Sequence, residues 1–395
     1  MFVKDAPGVL VPITGTDPYR GAWEHRAFVP DPLPDSMPGL QPETFLAVAN
    51  ARAAIAALDS TARQLPNPGL LRLPTLRREA QSTSALEGTY APLAEVLTAD
   101  EDAPVTAELV EILNYVRMAE TGFRRTTEGW PLSVAFIAEL QGILMQGTAL
   151  EKDSGHLREG QVVIGLRSDI PLDDFPIRTA RFVPSPPGAD LEALLRDLVD
   201  WMRVDHNQQI DPVVAAAMAH YQFETLHPFR DGNGRIGRYL IVLHLLTAGV
   251  LSEPTLTVSP WFEARRTAYY DRLLAVSARA EWDPYIRYFA DGIRQAADTT
   301  RNQMVALVAV QAELKDMVRA SKLRADSAHA LVDVAVANPS FTVRKVEADL
   351  GISYGRANTL VGQLVDLGIL QVIDPDAYKR RFFAPRVLDV LTRGA

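Results

Sequence analysis

His227-Pro228-Phe229-Arg230-Asp231-Gly232-Asn233-Gly234-Arg235-Ile236-Gly237-Arg238 is the stretch on which the reading of this chain turns. It gathers a proton acceptor, a carboxylate, flexible glycines at 232 and 234 and two guanidinium groups suited to phosphate into twelve residues. The residues before it, Val213 to Thr225, are largely small and apolar, so His227 closes a helix. Asp-Gly-Asn-Gly then makes a tight turn, and a helix restarts near Asn233. The two glycines permit positive φ and close approach of a ligand to the backbone. Successive N–H groups in such a turn, aimed by a helix N-terminus, make an anion-binding nest. Arg235 and Arg238 add forked donors for phosphate oxygens. Asp231 places a hard carboxylate where Mg²⁺ would bridge phosphates. His227, with an ordinary pKa of about 6.5, suits general-base work near neutrality.

Competing readings of the run fail on single residues. No G-x-x-x-x-G-K-[ST] loop is present. An EF-hand loop needs an oxygen ligand where Arg235 puts a cation. His220 lies seven residues before His227 and could share its helix face. With no third ligand evident, core packing or support of the site is the expectation rather than a metal pair. His244, in the apolar helix that follows, is expected to be a core histidine.

Outward from the motif, nearly all clear periodicity is helical. Helices are expected over Pro42–Leu58, from Pro74 to Gly88, and at 107–121 and 132–146. More follow at 190–204, 211–226, 233–248, 260–279 and 283–295, with a connector at 298–320. Residues 1–40, rich in Pro, Gly and Asp, read as an extended arm. The one β-like stretch, Gln161–Gly165 and Ala180–Val183 around a Pro-containing loop, reads as a hairpin. The last seventy residues differ again. Val343–Leu350, a turn at Gly351 and Ser353–Leu367 read as helix-turn-helix, with Ser353 as a cap. Leu370–Ile373 and Arg381–Phe383 would form a wing.

Composition bounds the rest. The chain has 395 residues, 47% hydrophobic and 23% charged, as in ordinary globular proteins. A net charge of −9 does not favour nucleic acid or anionic membrane in bulk. The absence of cysteine removes disulfides, thiolate nucleophiles and sulfur-ligated zinc. It also fits a reducing cytoplasm, the expected location. The start, Met1-Phe2-Val3-Lys4-Asp5, lacks a signal-peptide pattern. Tyr239–Leu251 is too short to span a bilayer, so no membrane association is expected.

The motif resembles, residue by residue, the H-x-F-x-[DE]-G-N-G-R-x-x-R signature of the Fic family of AMP-transferring enzymes, and the likeness extends over roughly residues 25–295. The resemblance implies an all-α fold: a helical core with a small β-hairpin flap, here joined to a C-terminal winged helix-turn-helix. The implied divisions are an N-terminal arm and helical region at 1–105, the catalytic core at 106–295, a connecting helix at 296–325 and the winged helix at 326–395. It also implies that His227 deprotonates a Ser, Thr or Tyr hydroxyl of a protein, which attacks the α-phosphate of ATP. Asp231 would position Mg²⁺, and Gly232, Asn233, Gly234 and Arg235 would cradle the phosphates. Tyr269-Tyr270 would line the adenine pocket. Val162, Val163, Ile164 and Gly165 of the flap would pair with an extended target segment. The target could be the protein itself, and relatives of this arrangement often form homodimers.

Thr83-Ser84-Ala85-Leu86-Glu87-Gly88 matches the family's inhibitory [ST]-x-x-x-E-[GN] helix. The resemblance therefore implies that Glu87 engages Arg238 and blocks the γ-phosphate. Local physics agrees: a carboxylate in the last turn opposes the helix dipole by about 0.3–1 kcal/mol. Such a residue usually has a compensating partner or a function. Thr83 and Glu87 share one face. Two positions depart from the family pattern, Arg265 before the Tyr pair and Ser277 seven residues past it.

A DNA-binding regulator is the alternative reading. Arg356, Asn358, Thr359 and Gln363 could reach base edges, and Lys379-Arg380-Arg381 could contact phosphates. Phe341–Ala395 holds eight Lys/Arg against six Asp/Glu, a mildly positive field. A protein-interaction or dimerisation module is therefore expected over a DNA reader. De-AMPylation is a second enzymatic alternative, with Glu87 helping to place the attacking water.

Overall fold

The computed structural model describes residues 2–393 apart from 18, 20, 65–71, 101–102, 168, 170–174, 207 and 324–325. The chain is mostly helical, with small sheets. It opens with two strands, β1 (Gly8–Asp17) and β2 (Gly21–Pro30). Then follow α1 (Pro42–Gln64), α2 (Arg72–Leu86), α3 (Leu93–Thr98), α4 (Ala107–Thr127) and α5 (Val134–Leu144). β3 (Ile164–Leu166), α6 (Pro176–Thr179) and β4 (Ala180–Phe182) make the flap. The centre comprises α7 (Ala189–Arg203), α8 (Pro212–Leu226), α9 (Asn233–Thr247), α10 (Ser259–Glu263), α11 (Arg266–Arg279) and α12 (Trp282–Ala320). The chain ends with α13 (Asp326–Ala337), β5 (Phe341–Thr342), α14 (Val343–Leu350), α15 (Tyr354–Asp366), β6 (Gln371–Val372), β7 (Arg381–Phe383) and α16 (Pro385–Thr392).

The first forty residues correct the sequence reading. Residues 8–30 form an antiparallel hairpin, Gly8 opposite Pro30 through Asp17 opposite Gly21, rather than a single extended arm. Pro12 obscured it, since proline removes a ladder donor; a two-stranded hairpin tolerates this because each strand has an open edge. The hairpin supports the flap. Ala27 clusters with Ile177, Ala180 and Val183, and the Phe28 N–H donates to the Val183 carbonyl at 2.9 Å. The flap itself is shorter than expected. Ile164 pairs with Phe182 and Leu166 with Ala180, leaving Val162 and Val163 outside the strand. Much of its Pro-containing loop lies outside the described residues.

Two helix expectations also change. Residues 260–279 split into α10 and α11 around Ala264–Arg265. The core's last helix and the connector fuse into one 39-residue helix, α12. α12 lies beside α1 in the same direction. Gln41 at the start of α1 donates to Asp283 at 2.7 Å, and Arg301 reaches Thr61 near its end at 3.1 Å. Ala47, Ala51, Ala54 and Ala62 give α1 a small-residue face for this packing. The expected boundary at 325/326 falls on residues 324–325, outside the described set.

α8 and α9 are buried almost throughout, and α2 is wedged against α4, α9 and α10. α2 is polar in sequence yet almost entirely buried, so its polar groups need partners. Arg77 supplies some, donating to the Val96 and Leu97 carbonyls of α3 and to that of Ala99 just after it. Arg78 donates to the Leu391 carbonyl in α16 at 3.0 Å, which ties the C-terminal elements to α2. Those elements include α14 and α15, joined at Gly351 in the left-handed region (φ 61°). Three short strands in the order β5-β7-β6 pack beside it.

Candidate active site

The motif is shaped first by its own backbone. His227 ends α8 with φ 49° and ψ 60°, a left-handed conformation that costs a β-carbon-bearing residue about 1–3 kcal/mol. Neighbouring groups hold it there. Its N–H donates to the Phe223 carbonyl at 3.0 Å, and its carbonyl accepts from Arg158 Nε at 2.8 Å. Arg158 also donates to the Gly160, Ser185 and Leu226 carbonyls, and its own N–H donates to the Pro228 carbonyl. Burial among these carbonyls lowers its guanidinium to about 10. Sequence reading did not single out Arg158, because its acceptors are backbone atoms brought together only by the fold.

Asn233 closes the turn. Its Oδ1 accepts the Phe229 N–H at 2.8 Å, and its Nδ2 donates to the Phe229 carbonyl at 2.9 Å. The Asn233 side chain is thereby held at both ends by Phe229, and its backbone N–H faces the open first turn of α9. Gly232 stands at the N-cap of α9 with φ 81° and no side-chain cap. A β-carbon there would also crowd Met145 and Leu144 at 2.7 and 2.9 Å. The uncapped first turn of α9 has N–H groups without helical partners, which is the structural basis of an anion site.

The charged groups flank this turn. Asp231 accepts the Gly232 N–H at 2.6 Å and lies 3.5 Å from Arg235; its side chain is 44% exposed, leaving it open to a ligand. Gln141 fixes its backbone, donating to the Asp231 carbonyl at 3.1 Å. Arg235 is buried and donates to Glu111 at 3.2 Å. Glu111 and Gln141 are further site residues that carry no local sequence signal, since each reaches the motif from another helix. Among the described residues no group of three or more His, Asp or Glu could hold a metal ion. Asp231 therefore fits Mg²⁺ only in the sense of one carboxylate acting with substrate phosphates, a usual arrangement for that ion.

Arg238 is fully buried and meets α2. Its Nε donates to Thr83 Oγ1 at 2.7 Å and its Nη2 to the Thr83 carbonyl at 3.1 Å and Glu87 Oε1 at 2.6 Å. Nη1 is buried and has no hydrogen-bond partner among the described residues. Burial alone would raise the Glu87 carboxyl; the adjacent Arg238 charge and hydrogen bond outweigh it and hold Glu87 below the ordinary carboxylate range. Gly234 makes the contact possible, because a β-carbon there would overlap Glu87 Oε1. Glu79, two turns earlier on α2, caps α10 through the Ser259 N–H at 3.0 Å; burial raises it to about 6.

His227 Nδ1 lies 3.3 Å from the Glu224 carbonyl. A carbonyl only accepts, so Nδ1 carries the hydrogen and Nε2 keeps the lone pair. Burial is the largest influence on the ring and lowers it to about 4, against the opposing pull of Glu87. His227 is therefore neutral across the physiological range and less basic than a free imidazole. His220 uses both ring nitrogens, with the Gly237 carbonyl at 3.1 Å and the Tyr269 hydroxyl at 2.7 Å, so it supports the site from within the core.

A cavity of about 300 Å³ opens beside the motif, lined among others by Glu87, Glu224, His227, Tyr270 and Val163–Gly165. The tyrosine pair thus divides. Tyr270 lines the cavity and donates to the Leu86 carbonyl at 3.3 Å, whereas Tyr269 is buried against His220. Val162 does not line it. Arg265 stacks on Trp261, and Ser277 bonds the Tyr221 hydroxyl at 3.0 Å.

A family model described as "Fic/DOC family" matches residues 131–245, and one described as "Fic/DOC family N-terminal" matches residues 45–124. Residues 45–124 and 131–245 thus carry the two parts of a Fic/DOC-family unit. The protein adenylyltransferase fic-1 of Caenorhabditis elegans is 32% identical over 144 residues, 36% of this chain and 24% of the relative. The protein adenylyltransferase Fic of Drosophila willistoni is 30% identical over 146 residues, 37% of this chain and 25% of the relative. The chain thus spans about a quarter of the length of these curated relatives. A Fic family protein from Desulfovibrio desulfuricans G20 shares the fold, with TM-score 0.54 at 22% identity over 88% of this chain and 98% of that one. The Fic-matched residues hold both halves of the site, Thr83 and Glu87 in the N-terminal match and His227–Arg238 in the other. No helix among the described residues is long and apolar enough to cross a membrane.

Proposed function

We propose that the protein transfers AMP from ATP to a hydroxyl of a protein, and that Glu87 restrains the reaction. The observation that carries this reading is the uncapped first turn of α9, set between a neutral His227 and two buried arginines. A polyphosphate on that turn would meet the N–H groups of residues 233–235 and the guanidinium of Arg235. Asp231 would hold Mg²⁺ against the phosphates, and the ion would spread their charge. An approaching Ser, Thr or Tyr hydroxyl loses its proton to His227 Nε2 as its oxygen bonds the α-phosphorus. The bond from that phosphorus to the bridging oxygen breaks, and pyrophosphate leaves. Preorganised donors favour this step because charge grows where they already point.

Two further parts belong to the proposal. With Arg238 engaged by Glu87 and Thr83, the end of the nest nearest α2 is closed to a γ-phosphate. Displacing Glu87 would free the guanidinium, whose Nη1 already lacks a hydrogen-bond partner among the described residues. Among the described residues the two-stranded flap leaves β3 with an open edge on which an extended target segment could add as a strand.

The C-terminal elements fit a winged helix used for protein contact. Lys379 and Arg381 of the expected wing pair with Asp100 at 3.1 and 3.2 Å, which directs them to the core instead of a phosphate backbone.

Label position tests the reading. Glu87→Gly protein incubated with ATP and Mg²⁺, alone and with cell extract, should acquire label from α-phosphate-labelled ATP and none from γ-phosphate-labelled ATP. Label from the γ position would make the chemistry phosphoryl transfer and refute the proposal.

A further inference from the structure

The cavity beside the motif has apolar walls. Val163, Ile164 and Phe182 come from the flap, and Tyr270, Leu273 and Leu274 from α11. Such walls hold a flat aromatic ring without distinguishing one purine from another, so selectivity has to come from a polar group. Most polar side chains lining the cavity are already engaged. The Ser277 hydroxyl bonds Tyr221, the Tyr270 hydroxyl donates to Leu86, Arg181 pairs with Asp271, and Glu87 holds Arg238. Among the described lining residues, Glu224 alone has a buried side-chain oxygen, Oε1, with no hydrogen-bond partner.

The seat of Glu224 is built for it. It lies one turn before His227 on α8, and its Oε1 rests over Gly237 of α9, where a β-carbon would overlap it. The titratable and charged groups facing it are Arg238 on α9, Glu87 on α2, Tyr269 and Tyr270 on α11 and Tyr285 on α12. Burial pushes the carboxyl up to about 8; Arg238 draws it down and Glu87 pushes it further up. At neutral pH the group is mostly a carboxylic acid, with a donor beside an acceptor.

We propose that Glu224 reads the base of the bound nucleotide, pairing as a carboxylic acid with the edge of adenine. The proposal rests on the nucleotide reading above. Adenine shows an amino donor beside a ring-nitrogen acceptor, and a carboxylic acid matches both at once. The pairing edge of guanine presents a ring N–H and an amino group side by side, two donors that suit a carboxylate. The charge of one side chain then decides which purine is held.

Calorimetric titration of the full-length wild type with ATP and with GTP, at pH 7 and pH 9, tests this without any substitution. Effects of pH on the triphosphate are common to both nucleotides and cancel in the ratio of affinities. The expected ATP preference at pH 7 falls by about ten-fold or more at pH 9 as the acid form is depleted. Glu224→Gln keeps a donor beside an acceptor, so it should retain the ATP preference and lose its pH dependence. Glu224→Val should lose the preference at both pH values. Thermal unfolding of each variant confirms that it is folded before its affinities are compared. A wild-type ATP:GTP ratio that is the same at both pH values and unmoved by either variant overturns the role of Glu224 alone. Binding of neither nucleotide by wild type overturns it together with the nucleotide reading.

Discussion

Residues 227–238 hold their shape largely by contacts within the run and its flanks, whereas the Glu87–Arg238 contact that closes over them joins positions 151 residues apart. The turn is fixed by Asn233 gripping Phe229, by a left-handed His227 and by a glycine N-cap. The contact is fixed by the path of α2 through the core, and its fit depends on Gly234 lacking a side chain. A turn of the first kind depends less on distant elements, although Arg158 and Gln141 brace its backbone. A restraint of the second kind is released by anything that shifts α2. The proposed brake can therefore be regulated without disturbing the chemistry beneath it.

The largest expected effect probes the turn. In a Glu87→Gly background, His227→Ala should lower AMP transfer by about 10²–10⁴-fold while nucleotide binding is retained. Equal loss of binding would mean that His227 shapes the nest and has no separate role as base.

The support beneath the turn comes next. Arg158→Met leaves the His227, Gly160, Ser185 and Leu226 carbonyls short of a donor, and should cost about 2–4 kcal/mol in urea unfolding. A change below about 0.5 kcal/mol would show that water replaces the guanidinium easily.

A double-mutant cycle isolates the contact. A β-carbon at Gly234 forces the Glu87 carboxylate to move, so Glu87→Gln should cost about 1–3 kcal/mol in wild type and much less in Gly234→Ala. An unchanged cost in both backgrounds would detach Gly234 from the brake. Acid should act in the same direction. The Glu87 carboxyl is held below its ordinary value, so its contribution is present above the unfolded pKa of about 4.5 and disappears as pH falls through the lower folded value.

The smallest effect sharpens the state of the base. A ring lowered by burial to about 4 stays unprotonated at pH 5.5, so activity of Glu87→Gly at that pH should remain close to its neutral value. An unshifted histidine near 6.5 would lose about ten-fold there. An acid limb at 6.5 in the rate profile would contradict the buried ring.

The difference between turn and contact also explains what the sequence could disclose. The run at 227–238 was legible because its residues bond to one another, so spacing carried the geometry. Thr83 and Glu87 were legible as a short motif and as a helix-end carboxylate lacking a local reason, though not by the room that Gly234 makes for them. Arg158, Gln141, Glu111 and Glu224 left no trace, because their partners are backbone atoms or side chains on other helices. Tyr269 and Tyr270 look alike in sequence, and only packing sends one to His220 and the other to the cavity. In the fold, the helices followed their periodicity, while the hairpin at 8–30 was hidden by Pro12 and flanking glycines that imitate a loop. The fusion into α12 was missed because Asp298-Thr299-Thr300, weak helix formers, imitate a break just after Ala296-Ala297, which favour the helix.

The most direct test of the central claim compares the rate of pyrophosphate release by wild type and Glu87→Gly under saturating ATP, Mg²⁺ and protein acceptor. If the carboxylate withholds Arg238 by about 3 kcal/mol, the variant should be roughly a hundred-fold faster. Equal rates, with both proteins folded and binding ATP equally, would mean that the Glu87–Arg238 contact is structural and does not restrain the proposed reaction.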